Sequence, residues 1–324
     1  MKKVLLIDLM NMFIRNFSAL RLTNDNGEHV GGAFGTLNSL QSQIKKHNPD
    51  IVSVVWEGKN SSERRRRMLK EYKEGRKFRG LNRHFEYSQE DEKESFARQL
   101  QLLKECLDVL PVYQPAVQYL EADDQIAYSC RNFFKNDAKI IVSTDRDFFQ
   151  LVDERTAIFR PVKTKENPNG ELIDLEWMHK KENIHPYNYA LLKAIVGDKS
   201  DNIAGIKGIG EKTAKKEIHL LWSDHEEFGV DDLFKWLKGR KEEKYQKYLD
   251  NEELLRKNYE IVQLLDIDIN IQSIQAMERS YEKKELKFNS YQLRLKLLNE
   301  DISPNNIDNW VSSFMSVQRE PLTF

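Results

Sequence analysis

Cysteine is nearly absent, with two residues in 324. Cys106 and Cys130 both fall in apolar helical patterns, so they read as reduced core thiols, which excludes a disulfide scaffold and a cysteine-built zinc site. No run approaches the roughly 20 apolar residues of a membrane span. The start, Met1 to Ile7, opens like a signal peptide, but Asp8 ends the apolar run too early. The sequence therefore points to a cytoplasmic protein with no membrane partner. Internal repeats and low-complexity linkers are lacking, and the length suits one large domain plus a smaller one. Net charge is also small, −1 from 51 basic and 52 acidic residues. That average conceals segregation: Lys59 to Arg83 holds eleven Lys/Arg against three Glu. A polyanionic partner is thus not excluded.

What is present is acid in unusual places. Glu121, Asp123 and Asp124 crowd into Glu121-Ala122-Asp123-Asp124, and two such charges at about 4 Å repel by roughly 4 kcal/mol at an effective dielectric of 20. Ile126, Ala127, Cys130, Phe133 and Phe134 follow on one helical stripe, placing the knot in the first turn of an amphipathic helix. The helix dipole returns only about 1 kcal/mol or less per charge. By itself the knot reads as a solvated helix start.

The flanking segments change that reading. Val4–Ile7 is a short apolar run ending on Asp8, and Ile51–Trp56 is a β-rich run ending on Glu57. Lys139–Thr144 is a third, ending on Asp145 and Asp147. Between them lie helical patterns over Ala33–Lys46, Ser62–Gly80 and Gln89–Leu110, and Val112–Val117 reads as a further extended segment. The predicted fold class is α/β: a mainly parallel central sheet flanked by helices. Ligands bind such sheets outside the carboxyl ends of the strands. Acids arriving there from several strands make a metal pocket the better reading.

In the second half, Thr156–Val162 reads as an edge strand or hairpin around Asn167 to Gly170. His185-Pro186 opens a helix that Gly197 stops, and Asp198 and Asp201 follow. Gly205-Ile206-Lys207-Gly208-Ile209-Gly210-Glu211-Lys212-Thr213 is not a P-loop, because Glu211 occupies the lysine position and no strand precedes it. It reads as a helix, a glycine hairpin and a second helix. The glycines admit a phosphate, and Lys207, Lys212, Lys215 and Lys216 supply charge. Residues 231–257 are helical and charged, Ile261–Ile271 is apolar enough to pack back on the core, and the last forty residues carry little pattern.

Four motifs together resemble the structure-specific 5′ nuclease family: flap endonucleases, phage 5′→3′ exonucleases and the 5′ nuclease domain of bacterial DNA polymerase I. They are Leu6-Ile7-Asp8, Glu121-Ala122-Asp123-Asp124, Ser143-Thr144-Asp145-Arg146-Asp147, and Gly197-Asp198-Lys199-Ser200-Asp201-Asn202-Ile203 running into the glycine hairpin. The resemblance implies a PIN-like nuclease core over 1–184 with a helical arch at about 62–95. It also implies a helix–hairpin–helix DNA-binding subdomain over 185–270, leaving 271–324 as an extension of uncertain role.

It further implies two sites for Mg²⁺ or Mn²⁺. Asp8, Glu57, Glu121 and Asp123 would serve one, Asp145, Asp147, Asp198 and Asp201 the other, with Asp124 between them or outside. All-oxygen donors suit these hard cations. Glu57 stands where many relatives carry Asp. Tyr72, Lys73 and Arg76 match the Tyr-Lys-x-x-Arg at the arch base, where Lys73 and Arg76 would touch the scissile phosphate and Tyr72 would stack on a base. Arg64, Arg65, Arg66 and Arg67, with Lys77 to Arg83, would form a phosphate funnel. The hairpin, through Lys207, Gly208, Gly210, Lys212, Thr213, Lys215 and Lys216, would grip duplex backbone, and carbonyls of Ile203, Ile206 and Ile209 would hold K⁺. Without the nine pocket carboxylates the formal charge becomes +8, suited to a surface lying along DNA.

The implied activity is 5′ nuclease cleavage of flaps, nicks, single-strand/duplex junctions or RNA–DNA primer ends by a monomer in replication or repair. Residues 318–324 carry the Leu-x-Phe ending of peptides that dock on sliding clamps. The competing readings are a non-cleaving nucleic-acid-binding protein on the same scaffold and a PIN-like ribonuclease.

Overall fold

The computed structural model describes residues 1–75, 89–162, 164–222, 228–282, 286, 288–302, 307–317 and 322. Five strands form the main sheet: β1 (Lys3–Asp8), β2 (Ile51–Val55), β3 (Ala138–Val142), β4 (Thr156–Arg160) and β5 (Glu171–Ile173), in the order β2-β1-β3-β4-β5. The first three pairings outward from β1 are parallel, and only β5 runs antiparallel to β4. Strand side chains alternate between faces. Accordingly Val4 and Leu6 enter one apolar cluster and Leu5 and Ile7 another on the opposite face. Burial on both faces is why the strands read as nearly unbroken apolar runs.

The N-terminal helices are α1 (Leu9–Ala19), α2 (Gly31–His47), α3 (Glu63–Met68), α4 (Gln89–Leu107) and α5 (Ala122–Tyr128). Asn48 ends α2 in the left-handed region at φ 44°, its N–H donating to the Ile44 carbonyl at 2.8 Å. The basic stretch is helical only over α3 before turning through Gly75, so the predicted helix is shorter than its charge pattern implies. The middle of the expected arch, 76–88, lies outside the described residues, and with it Arg76 and Lys77 to Arg83. The 112–117 segment lies along the outer edge of β2 but pairs at one bridge only, Ser53 with Tyr113.

Beyond the sheet come α6 (Leu175–Trp177), α7 (Tyr189–Val196), α8 (Glu211–Glu217), α9 (Val230–Lys238), α10 (Gln246–Leu249) and α11 (Glu252–Val262). Between α7 and α8 the chain makes a hairpin of two-residue strands, β6 (Gly197–Asp198) and β7 (Ile203–Ala204). A side chain at Gly205 would lie 2.2 Å from the Val196 backbone, so glycine is what lets the hairpin fold against α7. One apolar cluster runs from Val4 through Leu191 to Leu233 and Tyr281, joining this half to the sheet.

Three helices follow: α12 (Ile271–Tyr281), α13 (Ser290–Asn299) and α14 (Ile307–Ser312). The Tyr281 hydroxyl pairs with Ser53 Oγ at 3.0 Å and Ser129 Oγ at 3.1 Å, pinning α12 to β2 and to the turn after α5. Leu293, Leu297, Trp310 and Phe314 complete the cluster around α2, and Trp310 donates to Asn38 Oδ1 at 2.8 Å. The weakly patterned end thus supplies core. Leu322, the leucine of the expected clamp peptide, is buried in the main cluster and not displayed; 318–321 and 323–324 lie outside the described residues. Among the described residues no helix is long and apolar enough to cross a membrane.

Candidate active site

The parallel strands deliver their acids to one rim. Asp8 is both the last residue of β1 and the N-cap of α1: its Oδ1 accepts Asn11 N–H at 3.2 Å, while Oδ2 accepts the Ser143 hydroxyl at 2.8 Å. After β3, Ser143 Oγ accepts the N–H of Asp145 at 3.0 Å, and Asp145 Oδ1 accepts that of Asp147 at 2.9 Å. Beyond β2, Glu57 Oε2 accepts the first helical N–H of α5, from Ala122, at 3.2 Å. These short bonds fix where each carboxylate stands.

Asp8, Glu57, Asp123, Asp145, Asp147 and Asp201 line a single cavity of about 420 Å³, with Lys73 on its wall. Asp198 lines an adjoining cavity of about 430 Å³ that shares Asn11, Thr144, Asp145 and Ser200 with the first. Burial pushes Asp8 up to about 6, and burial together with Asp145 pushes Asp147 up to about 6. Burial raises Glu57, Asp123 and Asp145 too, with neighbouring carboxylates adding to it. Like charges confronting one another at a buried place resist ionising together unless a cation joins them. The lining also carries Asn11, Thr144 and Ser200, and its six carboxylates supply the hard oxygen donors that fit a divalent ion, with Arg15 and Lys73 as the cations beside them. Among the described residues, no three of these side chains stand in closed coordination geometry.

Two expected ligands are placed differently. Glu121 Oε2 accepts from Arg65 at 2.7 Å and from the Tyr72 hydroxyl at 3.0 Å, while Oε1 accepts from Lys73 at 2.8 Å and Ser62 at 2.8 Å. Asp124 takes the Arg65 guanidinium at 2.7 and 2.9 Å and Arg64 at 3.3 Å. Both acids are spent on protein cations. Burial opposes ionisation of Glu121, but Arg65 and Lys73 hold its carboxyl down to about 2. Likewise Lys193 holds Asp198 at about 2 against burial, its ammonium bridging Asp147 and Asp198.

The expected nucleic-acid contacts divide in the same way. Tyr72 is 2% exposed with its hydroxyl on Glu121, so it has no face for a base. Arg65 is 2% exposed and also donates to the Ile261 carbonyl at 2.9 Å, so it braces α3 and does not line a funnel. Arg66 donates to the Tyr72 carbonyl at 3.3 Å, and of the four only Arg66 and Arg67 are exposed. Lys73 reaches the cavity from a left-handed backbone, φ 54°, its N–H donating to the Asp201 carbonyl at 3.2 Å. A non-glycine there costs about 1–3 kcal/mol, and such strain gathers at functional sites. In the hairpin Lys207, Gly208, Gly210, Lys212 and Lys216 are exposed and Thr213 is half-buried. Lys215 is instead locked to Glu211 at 2.7 Å and Glu182 at 3.1 Å. Ile203, Ile206 and Ile209 are buried, and the Ile206 carbonyl accepts Ile209 N–H at 3.0 Å.

Residues 3–183 match the family described as 5'-3' exonuclease, N-terminal resolvase-like domain, and 184–284 match 5'-3' exonuclease, C-terminal SAM fold. The chain belongs to the 5'-3' exonuclease family. Its class is therefore that of a 5′ nuclease. A 5'-3' exonuclease of Aquifex aeolicus is 28% identical over 307 residues, 93% of this chain and 96% of that protein. The thermostable DNA polymerase I of Thermus thermophilus is 36% identical over 218 residues, 67% of this chain but 24% of that protein. The chain thus spans about a quarter of the polymerase relatives it matches. Among solved structures, the bacteriophage T5 D15 protein co-crystallised with metal ions superposes with a TM-score of 0.63 at 21% identity, over 97% of this chain and 98% of that one. At that identity the likeness speaks to the fold.

Sequence reasoning missed Lys193, Asn11 and the bracing role of Arg65. Lys193 had a signal, being the one charged residue in the apolar run of α7. Arg65 had another: Arg65, Met68, Leu69 and Tyr72 share a helical stripe otherwise apolar or aromatic.

Proposed function

We propose that the chain hydrolyses phosphodiester bonds near 5′ ends in flapped or nicked DNA and RNA–DNA primers, using two divalent cations, Mg²⁺ or Mn²⁺. The observation that carries this is one cavity receiving six carboxylates from β1, β2, the loop after β3, α5 and the α7–α8 hairpin, with one lysine on its wall. Asp8, Glu57 and Asp123 would hold one ion and Asp145, Asp147, Asp198 and Asp201 the other. When bound, the ions supply Lewis acidity for activating water and neutralising the phosphate.

The chain's own residues orient the substrate. Lys73, fixed by Glu121 and by its strained backbone, presents an ammonium to a phosphate entering the cavity, a preorganised charge that needs no rearrangement during reaction. Glu121 and Asp124 act one layer out, anchoring Lys73 and, through Arg65, the start of the arch. Arg67 and, by resemblance, Arg76 meet the single strand. The exposed Lys207, Lys212 and Lys216 follow duplex backbone beside Gly208 and Gly210, with K⁺ on the hairpin carbonyls. Binding there weakens steeply with salt.

The test is cleavage of 5′-labelled flap, nicked and blunt duplexes with Mg²⁺, Mn²⁺ or EDTA. Metal-dependent release of short 5′ products from flaps and nicks is expected. Tight flap binding with no cleavage in either metal would replace this reading with that of a non-cleaving binder.

A further inference from the structure

The sheet has a second opening at its other rim. Lys139 and Thr156 are direct partners across β3 and β4, near the amino ends of the strands, so their side chains share a face. They line a cavity of about 240 Å³ with Cys130, Arg131, Lys135 and Asp153. None of these residues lines the carboxylate cavity.

One buried group in this lining has no hydrogen-bond partner, and a second has a proton to spare. Lys139 is 3% exposed, and its ammonium donates to the carbonyls of Phe134 at 3.2 Å and Asp137 at 3.0 Å, with no ion pair among the described residues. An ammonium has three donors, so one remains. Thr156 is 2% exposed, and its hydroxyl has no hydrogen-bond partner. A buried polar group left so costs free energy until something pairs with it. Arg131 and Lys135 are exposed, and neither forms an ion pair among the described residues. The one carboxylate on the lining, Asp153, directs Oδ1 to the Arg155 N–H at 2.8 Å. Three cations therefore face one anion around a space that holds two idle donors.

We propose that this cavity binds a small phosphate-bearing anion, its oxygens taking the Thr156 hydroxyl and the spare Lys139 proton, with Arg131 and Lys135 supplying charge. The space is below the roughly 300–1,000 Å³ of sites for drug-sized ligands and suits inorganic phosphate or the phosphate end of a mononucleotide. The site does not rest on the nuclease reading.

Calorimetric titration of the full chain in EDTA, with inorganic phosphate, dAMP and deoxyadenosine as separate ligands, tests it. Saturable binding of phosphate or dAMP, but not deoxyadenosine, is expected. Thr156→Val keeps shape and removes the hydroxyl, and it should weaken binding about tenfold, the scale of one hydrogen bond to a charged group. Arg131→Ala and Lys135→Ala, at exposed positions that should not disturb folding, should each weaken it at least as much at low salt. Equal affinity for phosphate and dAMP would assign the phosphate head alone, and tighter dAMP would place its base on the Leu151 and Leu265 wall; both support the proposal. Absence of saturable binding, equal binding of deoxyadenosine, or affinity unchanged in all three variants would overturn it.

Discussion

Arg65→Met asks the most of the site's architecture. The guanidinium bonds Glu121 at 2.7 Å, Asp124 at 2.7 and 2.9 Å and the Ile261 carbonyl at 2.9 Å, so its loss leaves two buried carboxylates short of a cation. Breaking a buried pair by deleting one partner costs about 3–5 kcal/mol. Glu121 keeps Lys73 and Asp124 keeps Arg64, which favours the lower end, about 3 kcal/mol. In a chain of this size that lowers the melting temperature by roughly 4–5 °C at neutral pH. The pH dependence is the sharper readout. Glu121 is held down to about 2 from its ordinary 4.5. Its contribution is therefore complete above 4.5 and disappears as pH falls toward 2. Calorimetric scans of wild type and variant should draw together as pH falls from 4.5 toward about 2. A melting temperature unchanged at pH 7, or a difference independent of pH, would refute the buried ion-pair account. Arg65→Lys, which keeps charge without the two-pronged fork, should recover part of the loss.

Asp145→Asn should abolish cleavage while leaving flap affinity within a few-fold, measured by single-turnover kinetics and anisotropy; retained turnover would remove Asp145 from the metal-holding set. Lys73→Ala should slow the chemical step by about 10²–10³-fold, and an effect on affinity alone would displace Lys73 from the reacting phosphate. Asp8 and Asp147, both raised to about 6, bind more protons folded than unfolded, so their ionisation destabilises the metal-free protein as pH rises from 3.8 through 6. Mg²⁺ should accordingly raise the melting temperature more at pH 8 than at pH 5, with proton release on binding at pH 6; a pH-independent shift would place the ion elsewhere. Tyr281→Phe removes the shared partner of Ser53 and Ser129 and should cost about 1–3 kcal/mol in denaturant unfolding without changing metal dependence.

The strand-borne acids were legible because β1, β2 and β3 are buried on both faces, giving apolar runs whose first charged residue marks the carboxyl end. Asp8, Glu57 and Asp145 follow from that alone, whereas Asp201 followed only from the family resemblance. Arg65 was not legible from composition, since four consecutive arginines look alike; its helical spacing to Met68, Leu69 and Tyr72 marks it as the inward one, and packing against α5 and α11 gives it its partners. The same packing buries Tyr72 and commits Glu121 and Asp124. Charge density announces an electrostatic site, but which acids face the cavity depends on where the neighbouring cations land. The helices after residue 288 carried a weak signal because their apolar residues cover a narrow stripe, Leu293 and Leu297 on α13, that acquires meaning only against α2.

Tyr281 sits 228 positions from Ser53 along the chain, and Trp310 is 272 from Asn38. Contacts that distant form late, because the intervening loop must close before they return anything. A ribosome that has delivered Asp8, Glu57 and Asp145 has not yet delivered the aromatic clasps that hold their scaffold shut. The carboxylate rim is thus encoded well before the residues that close its scaffold.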